Sequence, residues 1–238
     1  MERGALLYDG KAKQVYGCPG DDSAVIMHFK DDATAFNGVK HALIGGKGAM
    51  NCAFTVALFD VAEKCGVPHH MREKIGPTEL LCDRVEIVPA EVVVRNRVAG
   101  SFAKRYGLEE GPALQQPLVE FFYKSDALDD PLVGVDAIVE LGWANRWELQ
   151  YFKEAALALN TGLVAFWDAH GIDLVDIKFE FGRSGGRLLL ADEITPDGCR
   201  LWEQGTGRKF DKDVFRRDIA DLAETYKELG ARLFGSAG

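Results

Sequence analysis

Residues 175–181 read Val175-Asp176-Ile177-Lys178-Phe179-Glu180-Phe181, with apolar and charged side chains in strict alternation. Alternate side chains of a strand share a face. The pattern therefore predicts a strand that turns Val175, Ile177, Phe179 and Phe181 into a core. Asp176, Lys178 and Glu180 then stand in a row on the other face. Gly182-Arg183-Ser184-Gly185-Gly186 predicts a turn, and Leu188-Leu189-Leu190-Ala191 a returning strand that delivers Asp192 and Glu193 at its end. Such a hairpin brings Glu180 and Asp192 into one neighbourhood, although its register is not legible in the sequence.

Working outward, residues 146–170 carry Leu149, Phe152, Ala156, Leu159, Leu163 and Phe166 at helical spacing, and Gly171 ends the run. A last helix is expected after Asp211, a good N-cap, with Phe215, Ile219, Leu222, Tyr226, Leu229 and Leu233 on one side. Ser101 is expected to cap a short helix that ends at Gly107, and residues 126–142 read as loop. The first third is β-rich. Residues 6–8 and 14–16 flank an Asp9-Gly10 turn, and 24–29, 79–84 and 86–88 read as further strands. Between them lies a helix through Met50, Phe54, Ala57, Leu58 and Val61, preceded at 31–48 by a stretch read as a mobile loop. Pro89 interrupts before Glu91-Val92-Val93-Val94-Arg95. The expected class is α+β, with an antiparallel unit over residues 1–88 and a larger α/β unit over 89–238.

At 238 residues and 47% hydrophobic, the chain can build a real core. With 28 basic and 37 acidic residues its net charge is -9, which repels polyanions and argues against broad nucleic-acid binding. A small anion needs only a local positive cluster. No apolar run is long enough for a bilayer and the N-terminus has no signal-peptide core, so no membrane partner and a cytoplasmic location are expected. Five scattered cysteines without a C-x-x-C pair predict reduced thiols, and adjacent His69 and His70 read as loop histidines rather than zinc ligands.

Four groups of residues could carry chemistry. Two carboxylates beside a lysine, Glu180 and Asp192 with Lys178, suit a divalent cation bound to a nucleotide, since Mg²⁺ commonly takes one or two carboxylates and completes its shell with phosphates and water. A solvated salt-bridge ladder fits the same spacing. Thr195-Pro196-Asp197-Gly198-Cys199-Arg200 is turn material that holds Arg200 close to the acidic pair, where it could fork onto a carboxylate or phosphate. Gly10-Lys11-Ala12-Lys13 places two lysines just past a tight turn, able to cover a triphosphate, although no Walker A motif is present. In Arg95-Asn96-Arg97-Val98-Ala99-Gly100-Ser101 a strand runs into arginines and a helix start, a place for Arg95 and Ser101 to clamp a phosphate. Residues 31–38 could form a lid. No nucleophile arrangement such as G-x-S-x-G appears.

Taken in order, Gly10-Lys11-Ala12-Lys13, Asp32-Ala33-Thr34-Ala35, Val93-Val94-Arg95-Asn96 with Ala99-Gly100-Ser101, the 176–182 strand and Asp192-Glu193 followed by Thr-Pro-Asp-Gly-Cys-Arg-Leu-Trp resemble the SAICAR synthetase family over nearly the whole chain. That resemblance implies two lobes, the first related to kinase and ATP-grasp nucleotide-binding lobes, with ATP in the cleft between them. It implies a ligase that joins L-aspartate to CAIR (the carboxyaminoimidazole ribonucleotide) with Mg²⁺, and a possible homodimer. By matching positions it makes Lys11, Ala12, Lys13, Val15 and Lys124 nucleotide contacts, and Glu180 and Asp192 metal ligands. Arg95, Ser101 and Arg200 become the holders of the CAIR phosphate, and Asp176 and Lys178 the reacting centre. The alternatives are a small-molecule kinase using the same cleft, for which an H-R-D-like loop is missing, and a non-catalytic nucleotide-binding module.

Overall fold

The computed structural model describes residues 2–35, 40–217 and 221–235. Strands β1 (Leu6–Asp9) and β2 (Lys13–Cys18) form the hairpin expected around Asp9-Gly10, and β3 (Asp21–Phe29) pairs with β2. A second hairpin, β4 (Asp32–Ala35) with β5 (Lys40–Leu43), occupies the stretch read as loop; the expected lid falls partly on residues 36–39, outside the described residues. Helix α1 (Lys47–Lys64) follows, then β6 (Met71–Gly76) and β7 (Glu79–Asp83). The first sheet has the order β1-β2-β3-β7-β6. Strand β6 was not expected. It is an edge strand whose central Arg72, Glu73 and Lys74 are all exposed, so it shows no apolar alternation.

The remaining elements are β8 (Glu86–Ile87), β9 (Ala90–Arg97), α2 (Gly100–Tyr106), β10 (Ala113–Tyr123), α3 (Val135–Glu140), α4 (Arg146–Asp168), β11 (Ile172–Ser184), β12 (Arg187–Ala191), β13 (Cys199–Glu203), α5 (Asp213–Arg216) and α6 (Leu222–Phe234). The second sheet runs β10-β9-β11-β12, with β8 and β13 also paired to β11. Strand β10 escaped the sequence reading because Gln115, Gln116 and Pro117 interrupt it; its register shifts between Ala113 and Leu118, where a proline can sit without a ladder bond. Helix α3 lies within the stretch read as loop.

Two expected caps differ. Ser101 sits inside α2, whose N-cap is Ala99 and whose first N–H, that of Gly100, is bonded to Glu110 at 2.9 Å. Asp211 starts no long helix. Its carboxylate accepts the N–H groups of Leu201 at 2.8 Å and Asp213 at 2.7 Å, and α5 is a single turn. Helix α6 starts separately after Asp221, which accepts the Glu224 N–H, and Ile219 lies outside the described residues.

Helix α4 begins at a capping box between Asn145 and Glu148. It packs Leu149, Phe152, Ala156, Leu159, Leu163 and Trp167 onto β9 and β11, with Trp167 rather than Phe166 fully buried at its last turn. Phe152 stacks on Phe181 with ring centroids 4.9 Å apart. Ile177, Phe179 and Phe181 join this core, as the alternation predicted; Val175 is buried too, but the register shifts between Leu174 and Asp176 and Leu174 takes its expected place in the core. A one-residue slip of β11 would expose these side chains and thrust Asp176, Lys178 and Glu180 into hydrocarbon. At about 1.5–3 kcal/mol for each large apolar side chain, the register is strongly held. Helix α1 is wedged between the two sheets: Phe54, Leu58 and Phe59 join the α4 core, while Cys52 packs against Val25, Met27, Leu80 and Cys82 of the first sheet.

Candidate active site

Strand β11 is flanked on both edges, and this decides the site. Asp176 lies opposite Arg95 of β9 and opposite Arg200 of β13. Its Oδ2 accepts from Arg95 Nη1 at 3.1 Å and from Arg200 Nη1 at 2.8 Å. Arg95 also donates to Glu120 at 2.5 Å and to the Ser101 hydroxyl at 3.0 Å, and Arg200 donates through Nε to Asp213 at 3.1 Å. Burial would lower the Arg200 pKa, but Asp176 and Asp213 more than offset it, so the guanidinium stays charged. Gly100 sits at φ 54, and a side chain there would overlap the Arg200 guanidinium. Arg95, Ser101, Asp176, Arg200 and Arg216 line a cavity of about 390 Å³. Two fork-shaped cations on one wall suit a phosphate.

A second cavity of about 400 Å³ is lined by Gly10, Lys11, Ala12 and Lys13 on one side and by Lys124, Lys178, Glu180, Asp192 and Glu193 on the other. Glu180 lies opposite Ala191, so Asp192 follows directly beside it. Lys13 pairs with Asp192 and Glu193, and Lys124 with Glu180. Lys178 Nζ donates to Glu91 at 2.8 Å and to Glu180 at 2.7 Å. Burial would strip the protons from Lys13 and Lys178, yet the surrounding carboxylates win and both are held well above the usual lysine range. Burial pushes the Glu91 carboxyl up, and Lys178 only partly counters it. Lys11 differs: it reaches out to Asp126 at 2.6 Å and is exposed.

Asp192 takes a left-handed backbone, φ 64, which non-glycine residues adopt mainly where surroundings impose it. His70 is one of those surroundings. It is buried, and its Nε2 bonds the Asp192 carbonyl at 2.8 Å. Burial lowers its pKa to about 4, so the ring is neutral and donates. His70 lies between α1 and β6, outside any strand or helix, as a loop histidine should, and it also braces the acidic end of β12.

Among the described residues no group of three or more His, Cys, Asp or Glu side chains forms a metal cage. Glu180 and Asp192 offer two carboxylates on one wall. That donor set fits Mg²⁺ only in company with substrate oxygens, which is the ion's common habit. Glu91, Asp130, Lys178, Asp197 and Gly198 line both cavities, so Lys178 stands where they meet.

A family model described as SAICAR synthetase matches residues 6–233. The chain belongs to the SAICAR synthetase family. It is 51% identical over 236 residues to the phosphoribosylaminoimidazole-succinocarboxamide synthase of Anoxybacillus flavithermus, covering 99% of this chain and 98% of that protein. It is 49% identical to the one from Magnetococcus marinus, covering 98% and 97%. A solved SAICAR synthetase in complex with ADP superposes with a TM-score of 0.92 at 45% identity, covering 96% of this chain and 97% of that one. The mixed α/β fold with antiparallel sheets is thus that of SAICAR synthetases.

For this family member, the residues singled out from sequence gather around the two cavities. Lys11, Ala12, Lys13, Lys124, Glu180 and Asp192 line the second, Arg95, Ser101, Asp176 and Arg200 the first, and Lys178 both. Val15 lines neither; it packs against the apolar side of the first sheet. Other polar residues of the site went unnoticed. Asp197, read as a plain turn residue, accepts from fully buried Lys47 and from the Tyr226 hydroxyl, the latter at 2.7 Å. Burial would raise its pKa, but Lys47 and Lys212 hold it below the usual carboxylate range. Glu120 and Asp213 steady the arginines from β10 and α5. No local signal marks them, because each lies on a segment whose proximity comes only from folding.

Proposed function

We propose that this SAICAR synthetase family member joins L-aspartate to the carboxylate of CAIR at the expense of ATP, giving SAICAR, ADP and phosphate in purine biosynthesis. The observation that carries the reading is Lys178 at the meeting point of an arginine-lined cavity and a lysine–carboxylate cavity. One cavity suits a sugar phosphate and the other the phosphates of a nucleotide. A group attached to the first substrate would then meet the γ-phosphoryl beside Lys178.

A carboxylate is a poor electrophile, so it must be activated before an amine can attack it. Transfer of the γ-phosphoryl group to the CAIR carboxylate gives an acyl phosphate; the aspartate amine displaces phosphate and loses a proton. Such a transfer needs positioning and charge neutralisation above all. In this reading Lys11, Ala12, Lys13, Val15 and Lys124 contact the nucleotide. Arg95, Ser101 and Arg200 hold the CAIR phosphate and use its binding energy to orient the distant carboxylate. Asp176 locks the two arginines, and Lys178 stays protonated against developing charge. Mg²⁺, held by Glu180 and Asp192, would neutralise phosphate charge when bound.

The same proposal includes a two-lobed arrangement divided at 1–88 and 89–238, with the first lobe related to kinase and ATP-grasp nucleotide-binding lobes. It includes a homodimer and a cytoplasmic setting, which suits five cysteines that no disulfide links. No helix of the described residues is long and apolar enough to cross a membrane. The kinase alternative is not favoured, because the matching relatives are named synthases and synthetases. The test is ADP release from ATP and Mg²⁺ with CAIR, with and without L-aspartate. ADP formation that depends on CAIR and yields SAICAR only with aspartate supports the ligase; CAIR-independent ADP release overturns it.

A further inference from the structure

The lysines that line the second cavity are committed to carboxylates, with one exception. Lys11 is bonded to Asp126, Lys13 to Asp192 and Glu193, Lys124 to Glu180, and Lys178 to Glu91 and Glu180. Lys212, which lines the same cavity, makes no side-chain hydrogen bond or ion pair among the described residues. Its near anion, Asp197, is already taken by Lys47, Asn51 and Tyr226. Burial therefore lowers the Lys212 pKa, and Asp197 restores it only in part. Its other charged neighbours are Arg216, which lines the first cavity, Lys47, and Glu193, which lines the second. Lys212 thus stands on the wall of the second cavity beside Asp197, one of the residues that line both cavities.

The ligase reading needs a cation there. The amine that attacks the activated carboxylate arrives on a molecule with two carboxylates of its own. Carboxylates brought into a partly buried cavity require paired donors, since leaving them unpaired costs several kcal/mol. We propose that Lys212 anchors a carboxylate of the amino-acid co-substrate on the wall of the second cavity beside Asp197. This rests on the proposed ligase activity. It assigns the dicarboxylate's binding to a residue that neither the nucleotide nor the sugar phosphate uses.

The test compares the full-length protein with Lys212→Met, which keeps the side-chain length without charge, and Lys212→Arg, which keeps the charge. Michaelis constants are measured for L-aspartate, ATP and CAIR. Binding of L-aspartate is also followed by calorimetry, with CAIR and a non-hydrolysable ATP analogue present. The methionine variant is expected to weaken aspartate, in both readouts, by at least about tenfold, the loss of one charge-assisted bond. The constants for ATP and CAIR should stay within about twofold, and Lys212→Arg should recover most of the affinity. Unchanged aspartate affinity in a folded Lys212→Met protein overturns the assignment, as does a change confined to ATP or CAIR. A wild-type protein with no aspartate-dependent product overturns the ligase reading itself, a result separate from any outcome in the variants.

Discussion

Replacing Gly100 with alanine tests the arginine wall in a way that removes no functional group. Gly100 holds φ 54, a left-handed conformation that costs an L-residue about 1–2 kcal/mol. The added methyl would also overlap the Arg200 guanidinium; even Nη1 would lie 2.6 Å from the new carbon. The backbone on either side is fixed by β9 and α2, so the arginine is the partner that must move. Moving it breaks its bonds to Asp176 and Asp213, at 2.8 and 3.1 Å, and withdraws one donor from the proposed phosphate site. A hydrogen bond to a charged group contributes about 1.5–3 kcal/mol, so kcat/KM for CAIR should fall roughly tenfold to a hundredfold. The backbone cost should lower Tm by roughly 2–8 °C. The assay is steady-state SAICAR formation with each substrate varied in turn, alongside thermal melts. KM values for ATP and aspartate should hardly change. A CAIR kcat/KM within about twofold of wild type, in a variant whose Tm has dropped, would refute the reasoning: the arginine would have relaxed without consequence, or it does not hold the phosphate.

Other substitutions probe the remaining parts. Asp192→Asn keeps shape and a residue type that tolerates the left-handed backbone, so the protein should fold while turnover falls by at least about a hundredfold; normal ADP release would sink the metal assignment. Arg95 is buried between Glu120 and Asp176, so Arg95→Ala would strip one cationic partner from each, leaving them to Arg105 and Arg200, and cost about 1.5–3 kcal/mol. Arg95→Lys avoids that and should raise KM for CAIR while sparing ATP, and a shift in KM for ATP alone would contradict the clamp. Burial, with the charge of Asp213, raises the Asp211 pKa from 3.8 to about 7. Between those values the folded state holds a proton that the unfolded chain has lost, so this group's contribution to stability falls as pH rises from about 4 to 7, by on the order of 4 kcal/mol. Wild-type Tm should therefore drop more than that of Asp211→Asn between pH 5 and 8; parallel profiles would contradict the shift.

The alternation from Val175 to Phe181 was enough to predict a strand, its buried face and the row of charges opposite, because side-chain direction in a strand is a local property of period two. Turn chemistry at Asp9-Gly10 and helical spacing in α4 were legible for the same reason. What the charged row faces was not. Asp176 meets Arg95 from 81 residues upstream and Arg200 from 24 residues downstream because β11 is paired on both edges, and pairing register depends on the burial of whole faces and on the turns that join them. The row that could equally have been a solvated ladder is a site because β9 and β13 flank it with arginines and the Gly10–Lys13 turn faces it across the second cavity. Glu120, Asp213, Lys47 and Lys212 enter only with tertiary structure, for a charged residue's own neighbours in sequence carry no mark of the distant charge that will neutralise it. Edge strands β6 and β10 were hidden for a related reason: one side of each meets water, so their sequences are shaped by exposure as much as by pairing.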